Sequence, residues 1–157
     1  MKLNIPFLGK TKEKYLDQAI QDYTGRLQRY MPVNSKILKS RYGKNDANQV
    51  IMDKEAKQLL AHVAALSASL TVALDPTGTE QTSEEIAYTL AGWENRGIQT
   101  VCFLIGGHLG LNQQVRQQAD QIWSLSQLTF THEMTRFILL EQLYRACSIK
   151  AGHNYHI

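Results

Sequence analysis

Hydrophobic positions along the chain follow two periods that alternate. Residues 2–8 carry a short apolar run, broken at Pro6, that reads as an edge or bulged strand. Over residues 11–30, Tyr15, Leu16, Ala19, Ile20, Tyr23 and Leu27 recur at helical spacing, and Met31-Pro32 ends the pattern. A second strand is predicted over 33–38, a polar loop over 40–48 and a helix over 48–66. Residues 70–74 (LTVAL) form a buried-strand pattern that runs into Asp75-Pro76-Thr77-Gly78, a turn signal. Thr82 and Glu85 form a capping box that opens a helix through Ile86, Leu90 and Trp93 to near Gly97. Residues 100–105 (TVCFLI) form the most apolar strand, as expected for a central parallel strand covered on both faces. A short polar helix follows over 112–121, then a strand or strand-to-loop segment over 122–130, and a last helix over 132–148. Strands alternating with helices give an α/β class with a largely parallel sheet.

The 157 residues suit one domain, 1–157, and can bury a core without staples. Cys102 and Cys147 sit in apolar runs and read as buried thiols, not a disulfide framework. No apolar run approaches 18 residues and no leader pattern opens the chain, so a soluble, cytoplasmic protein with no membrane association is expected. Net charge is only +3, but through residue 44 many bases, among them Arg26, Arg29, Arg41 and Lys44, face only Glu13, Asp17 and Asp22. That asymmetry suits a polyanion such as RNA.

Four stretches carry candidate chemistry. Ile105-Gly106-Gly107-His108-Leu109-Gly110 places glycines at the end of the most apolar strand, where ligands bind in open α/β sheets. The G-G-x-x-G spacing and the lack of a ribose-binding acid argue against a nicotinamide-binding oxidoreductase. Leu125-Ser126-Gln127-Leu128-Thr129-Phe130 mixes apolar and small hydroxyl side chains, which suits an adenine. On the last helix, Arg136, Glu141 and Arg145 interrupt an apolar surface, with Glu141 and Arg145 at i, i+4. The tail His153-Asn154-Tyr155-His156-Ile157 offers groups that stack on and hydrogen-bond a base. Its histidines lack clustered partners, so no metal is expected.

Taken together, the chain resembles the ribosomal large-subunit pseudouridine methyltransferase H family, within the SPOUT group. The resemblance runs nearly end to end. It is carried by Gly9-Lys10, Asp53-Lys54-Glu55, Leu74-Asp75, Ile105-Gly106-Gly107-x-x-Gly110, Trp123-Ser124-Leu125-Ser126, Leu128-Thr129-Phe130, His132-x-Met134-x-Arg136, Glu141-Gln142-x-Tyr144-Arg145-Ala146 and Tyr155-His156. It implies a SPOUT-type α/β trefoil knot, which connection rules would not suggest. It also implies a homodimer, S-adenosylmethionine as methyl donor, and methylation of N3 of a pseudouridine in the 23S rRNA of the assembled ribosome. The implied cofactor residues are Leu74, Gly106, Gly107, Leu125, Ser126, Gln127, Leu128, Thr129 and Phe130. His156 and Tyr155 are expected to close over the partner protomer's cofactor, with Arg145 and Glu141 completing the catalytic set. His132 is a second candidate base. Arg26, Arg29, Arg41, Lys44 and Arg136 are expected to contact RNA. Two positions depart from the family pattern: Thr131 stands where proline is common, and Ile157 where a basic residue usually closes the chain. A non-catalytic RNA-binding module of the same fold is the alternative, which S-adenosylmethionine titration would separate from an enzyme.

Overall fold

The computed structural model describes residues 1–39, 42–153 and Tyr155. Seven strands and five helices alternate through them. In chain order they are β1 (Lys2–Asn4), β2 (Phe7–Leu8), α1 (Lys14–Leu27), β3 (Val33–Asn34), β4 (Ile37–Leu38), α2 (Asn48–Leu66), β5 (Leu70–Glu80), α3 (Ser83–Asn95), β6 (Thr100–Ile105), α4 (Gln113–Gln118), β7 (Gln121–Ser124) and α5 (His132–Lys150). Five strands form one parallel sheet in the order β3-β1-β6-β5-β7, and β2 and β4 pair in a second parallel ribbon.

The expected strand over 2–8 is therefore two strands in two sheets, and the same holds for 33–38. The chain changes sheet at Pro6, which has no N–H to give to a ladder. On either side, Ile5 N–H donates to Asn34 O and Phe7 N–H to Lys36 O, so the paired segments switch together.

β6 explains the two layers. Val101, Phe103 and Ile105 enter one core with Trp93, Leu139, Leu140 and Leu143; Cys102 and Leu104 enter another with Leu59 and Val115. Strand alternation thus feeds both faces, with α1, α3 and α5 on one and α2 and α4 on the other. Both thiols are free and buried, and burial pushes Cys102 to about 12 and Cys147 to about 11.

The turn expected at Asp75–Gly78 lies inside β5. Leu74 and Thr79 both register with Trp123 of β7, so residues 75–78 bulge out of the ladder. The turn chemistry is real: Thr77 N–H and its hydroxyl both donate to Asp75 Oδ1, at 3.0 and 2.6 Å. β7 stops at Ser124, so residues 125–131 are not strand but an irregular strap leading into α5. The capping box at Thr82 and Glu85 forms in full.

Candidate functional site

The bulge within β5 and the C-terminal end of β6 open into a cavity of about 480 Å3. β6 delivers the chain to Gly106, where any Cβ would run into the backbone of Gly110. The loop closes on itself: Gly110 N–H donates to Gly107 O at 3.1 Å, and Gly110 takes a φ of +82°, cheap only for glycine. Leu74, Asp75 and Pro76 form a second wall, and the strap 125–131 a third. His132 and Thr135 of the first turn of α5 complete the lining.

The strap is held by its own hydroxyls. Ser124 Oγ donates to Ser126 O, Ser126 Oγ accepts from Leu128 N–H, and both bonds are 3.0 Å long. Thr131 caps α5, its Oγ1 accepting from Met134 N–H at 3.2 Å. Its φ of −63° is one that proline also adopts. Threonine thus keeps the backbone path expected of proline and adds a side-chain cap that proline lacks.

Of the nine residues expected around a cofactor, Leu74, Gly106, Gly107, Leu125, Ser126, Leu128, Thr129 and Phe130 line this one cavity. Gln127 is exposed and is not among its lining residues. His132 does line the cavity, and burial, then the charge of Arg136, hold its imidazole below the usual histidine value despite the nearby Glu133 carboxylate.

The expected catalytic side chains gather elsewhere, on the middle of α5 and the tail. Arg145 donates to Glu141 Oε1 through Nε and Nη2, at 3.1 and 2.6 Å. Tyr155 places its hydroxyl 2.7 Å from that of Tyr23 and 3.3 Å from Glu141 Oε1. Its ring meets Tyr144 edge-on at 4.6 Å, and the Arg145 guanidinium lies 4.8 Å from its centroid. Burial, the Tyr23 bond and the Glu141 charge push its phenol well above the ordinary tyrosine value. Tyr155 therefore keeps its proton and acts as a hydrogen-bond donor, here to Glu141. His156 lies outside the described residues. Arg145 follows Thr135 by ten residues of α5, about 15 Å of helix. The cluster does not reach the cavity of its own chain.

Among the expected RNA contacts, Arg26 joins this cluster, with its guanidinium 5.1 Å from the Tyr23 ring and paired to Asp22 at 3.0 Å. Arg29 and Lys44 are exposed, and Arg41 lies outside the described residues. Arg136 requires a correction, because it is 1% exposed. Its Nη2 donates to Leu8 O at 2.8 Å, its Nη1 to Thr11 Oγ1 at 3.0 Å, and its guanidinium stacks on Phe7. With those donors spent inside the protein, Arg136 is not offered to RNA.

Two buried glutamates were not among the expected site residues, and one of them stands beside Arg136. The buried Glu133 accepts the N–H groups of Lys12 and Glu13, at 3.0 and 3.1 Å. Burial alone would raise its carboxyl, but those amides and the nearby His132 and Arg136 bring it below the ordinary value. Together Glu133 and Arg136 bolt the start of α5 to the end of β2 and the segment between β2 and α1. Glu55, 3% exposed, lies on α2 under the glycine loop. Both glutamates carry a readable signal: each occupies the apolar stripe of its helix, Glu55 between Ile51 and Leu59, Glu133 below Arg136 and Leu140.

No group of three or more potential metal ligands exists among the described residues, and no helix there is long and apolar enough to cross a membrane.

A family model described as "Predicted SPOUT methyltransferase" matches residues 1–156. A protein of Desulfotalea psychrophila named ribosomal RNA large subunit methyltransferase H is 44% identical, with 99% of each chain covered. One of the same name from Geobacter metallireducens is 40% identical with the same coverage. Among solved structures, a methylase family protein of Haemophilus influenzae superposes with a TM-score of 0.58 at 10% identity, covering 99% of this chain and 70% of that one. The TrmH/SpoU tRNA modifying enzyme of A. aeolicus does so with a TM-score of 0.51 at 14% identity, covering 96% and 76%. At such identities these structures attest the fold alone.

Proposed function

The chain belongs to the SPOUT methyltransferases, and from that premise we propose that it methylates N3 of a pseudouridine in 23S rRNA of the large ribosomal subunit, with S-adenosylmethionine as donor. In this reading it is one domain, 1–157, and works in the cytoplasm as a homodimer. The observation that carries the proposal is the cavity between the bulge of β5 and the end of β6.

The cavity fits that cofactor. Its volume lies within the range of small-molecule sites. Leu74, Ile105, Leu111, Leu125 and Phe130 offer apolar walls for an adenine, and the glycine loop brings backbone amides and carbonyls close for its edge. Asp75 also stands in the wall, its charge balanced by Arg116 at 3.3 Å. Bound there, S-adenosylmethionine supplies an electrophilic methyl group on a sulfonium.

The protein's part is positioning and proton control. The imide N3 of a uracil ring must lose its proton to become a nucleophile. His132 lines the cavity, and its burial and the charge of Arg136 favour the neutral imidazole, so it is the candidate proton acceptor of this reading. Charge developing on the uracil oxygens needs donors. Arg145, fixed by Glu141, and Tyr155, kept protonated, supply them. Because these donors stand off from their own cavity, a second copy of the chain must bring them to it. Exposed Arg29 and Lys44, with Arg26 beside Tyr23, supply the salt-sensitive attraction to phosphate.

Mass spectrometry of 23S rRNA from cells with and without the protein tests this reading. One methylated pseudouridine that disappears with the protein supports it; identical rRNA from both would overturn it.

A further inference from the structure

Beneath the glycine loop, on the side away from the cavity, lies a carboxylate with no assigned part. Glu55 of α2 is 3% exposed. Its stripe neighbours Ile51, Ala56 and Leu59 are apolar, as that position demands. One oxygen, Oε2, has no hydrogen-bond partner among the described groups. A carboxylate in such a place costs stability, and an apolar side chain of similar size would not.

What it touches is Gly107. A Cβ built on that residue would meet Glu55 Oε1, with Cδ and Oε2 each at 2.8 Å. The carboxylate therefore lies flat against the loop where only glycine leaves room. The Gly107 amide, the charge of His108 and the Tyr42 hydroxyl favour its ionised form, while burial works against them and prevails, raising it above the ordinary carboxylate value. Glu55 is thus keyed to the glycine loop, one of the three walls of the cavity, and to three groups of two loops.

We propose that Glu55 is a positioning residue for cofactor binding, its carboxylate holding Gly107 and so the Gly106–Gly110 loop in the shape that receives S-adenosylmethionine. The proposal rests on the reading of the cavity given above. A buried charge kept against stability and spent on a binding loop is a trade of stability for function. A merely structural glutamate would show the opposite pattern.

The test compares the full-length protein with its Glu55→Gln variant. Gln keeps the size and one acceptor oxygen and removes the charge. Two quantities are measured across pH: the melting temperature, and S-adenosylmethionine affinity by calorimetry. In the wild type, ionisation of a carboxyl whose folded value is raised costs stability as pH rises through that value. At neutral pH the variant is therefore expected to melt at the same temperature or higher. Its affinity is expected to fall about tenfold, the worth of a hydrogen bond to a charged group. Wild-type affinity should also weaken on acidification as Glu55 takes up a proton. The variant should lack that component, while any contribution of His108 and His132 remains in both. Equal affinities with the same pH profile would overturn the proposal, as would a lower melting temperature with unchanged affinity. Should the variant fail to fold, the wild-type profile decides: affinity flat from neutral to acid pH overturns the proposal. A wild type that binds no S-adenosylmethionine overturns instead the reading of the cavity.

Discussion

The N-terminal end of α5 borders a cavity walled by backbone and apolar side chains, whereas the middle of the same helix carries a cluster of charged and aromatic polar groups. The cavity's shape comes from what is missing. Gly106 and Gly107 leave space that a Cβ would fill, and the strap turns on its own hydroxyls. The cluster comes from what is present: Glu141, Arg145, Tyr23 and Tyr155 hold one another at hydrogen-bond distance. One region suits recognition of a small molecule, the other contact with a charged, stacked polymer. About 15 Å of helix separates them on one chain, and the proposed homodimer is what would bring them together as complementary halves.

The largest effect expected from breaking this arrangement is at the bolt that fixes the start of α5. Arg136→Met keeps the length but strips Leu8 O and Thr11 of their donor and leaves Glu133 without its buried cation. The loss should be about 3–5 kcal/mol, or a melting temperature lower by about 10 °C. A change below 2 °C would mean that the strap does not depend on this anchor. The wild type carries a related acid sensitivity. The Glu133 carboxyl is depressed in the folded chain, so its contribution is present above the ordinary carboxylate value and lost as pH falls through the lower, folded one. Thermal melts at descending pH should show that loss, and Glu133→Gln should remove it.

A smaller and more selective effect is expected in the cluster. Glu141→Gln weakens the grip on Arg145 and Tyr155, so turnover should fall about tenfold. S-adenosylmethionine affinity should stay within about twofold, because no group of the cluster lines the cavity. A matching loss of affinity would show that the two regions are not separate. The smallest effect belongs to Thr131→Ala, which removes the cap of α5 and should cost about 1 kcal/mol by chemical denaturation.

Much of the cavity was legible in the sequence. Glycines after the most apolar strand, and a segment of alternating leucines and hydroxyls, announce a ligand-binding edge, and the structure gathers eight of nine expected residues there. The cluster was legible only in part. Glu141 and Arg145 are local partners on one helix, but Tyr23 joins Tyr155 across 132 residues, which no local pattern encodes. Arg136 was misread because an arginine on a greasy helix looks like a surface cation. Its place in line with Leu139, Leu140 and Leu143 makes it a core residue. The bulge in β5 was read as a turn because Asp75 and Thr77 do form one; only pairing with β7 on both sides keeps it within a strand.

Mixing two inactive variants tests whether a cavity from one chain works with a cluster from another. One lacks residues 153–157 and keeps its cavity. The other carries Thr129→Trp, which fills the cavity from its exposed rim and leaves the tail intact. Each is expected to be inactive alone on large ribosomal subunits. Refolded together, they should regain about a quarter of wild-type turnover, since half the dimers are mixed and each mixed dimer restores one of two sites. A mixture as inactive as its parts, with both chains folded and mixed dimers demonstrably present, would contradict the claim.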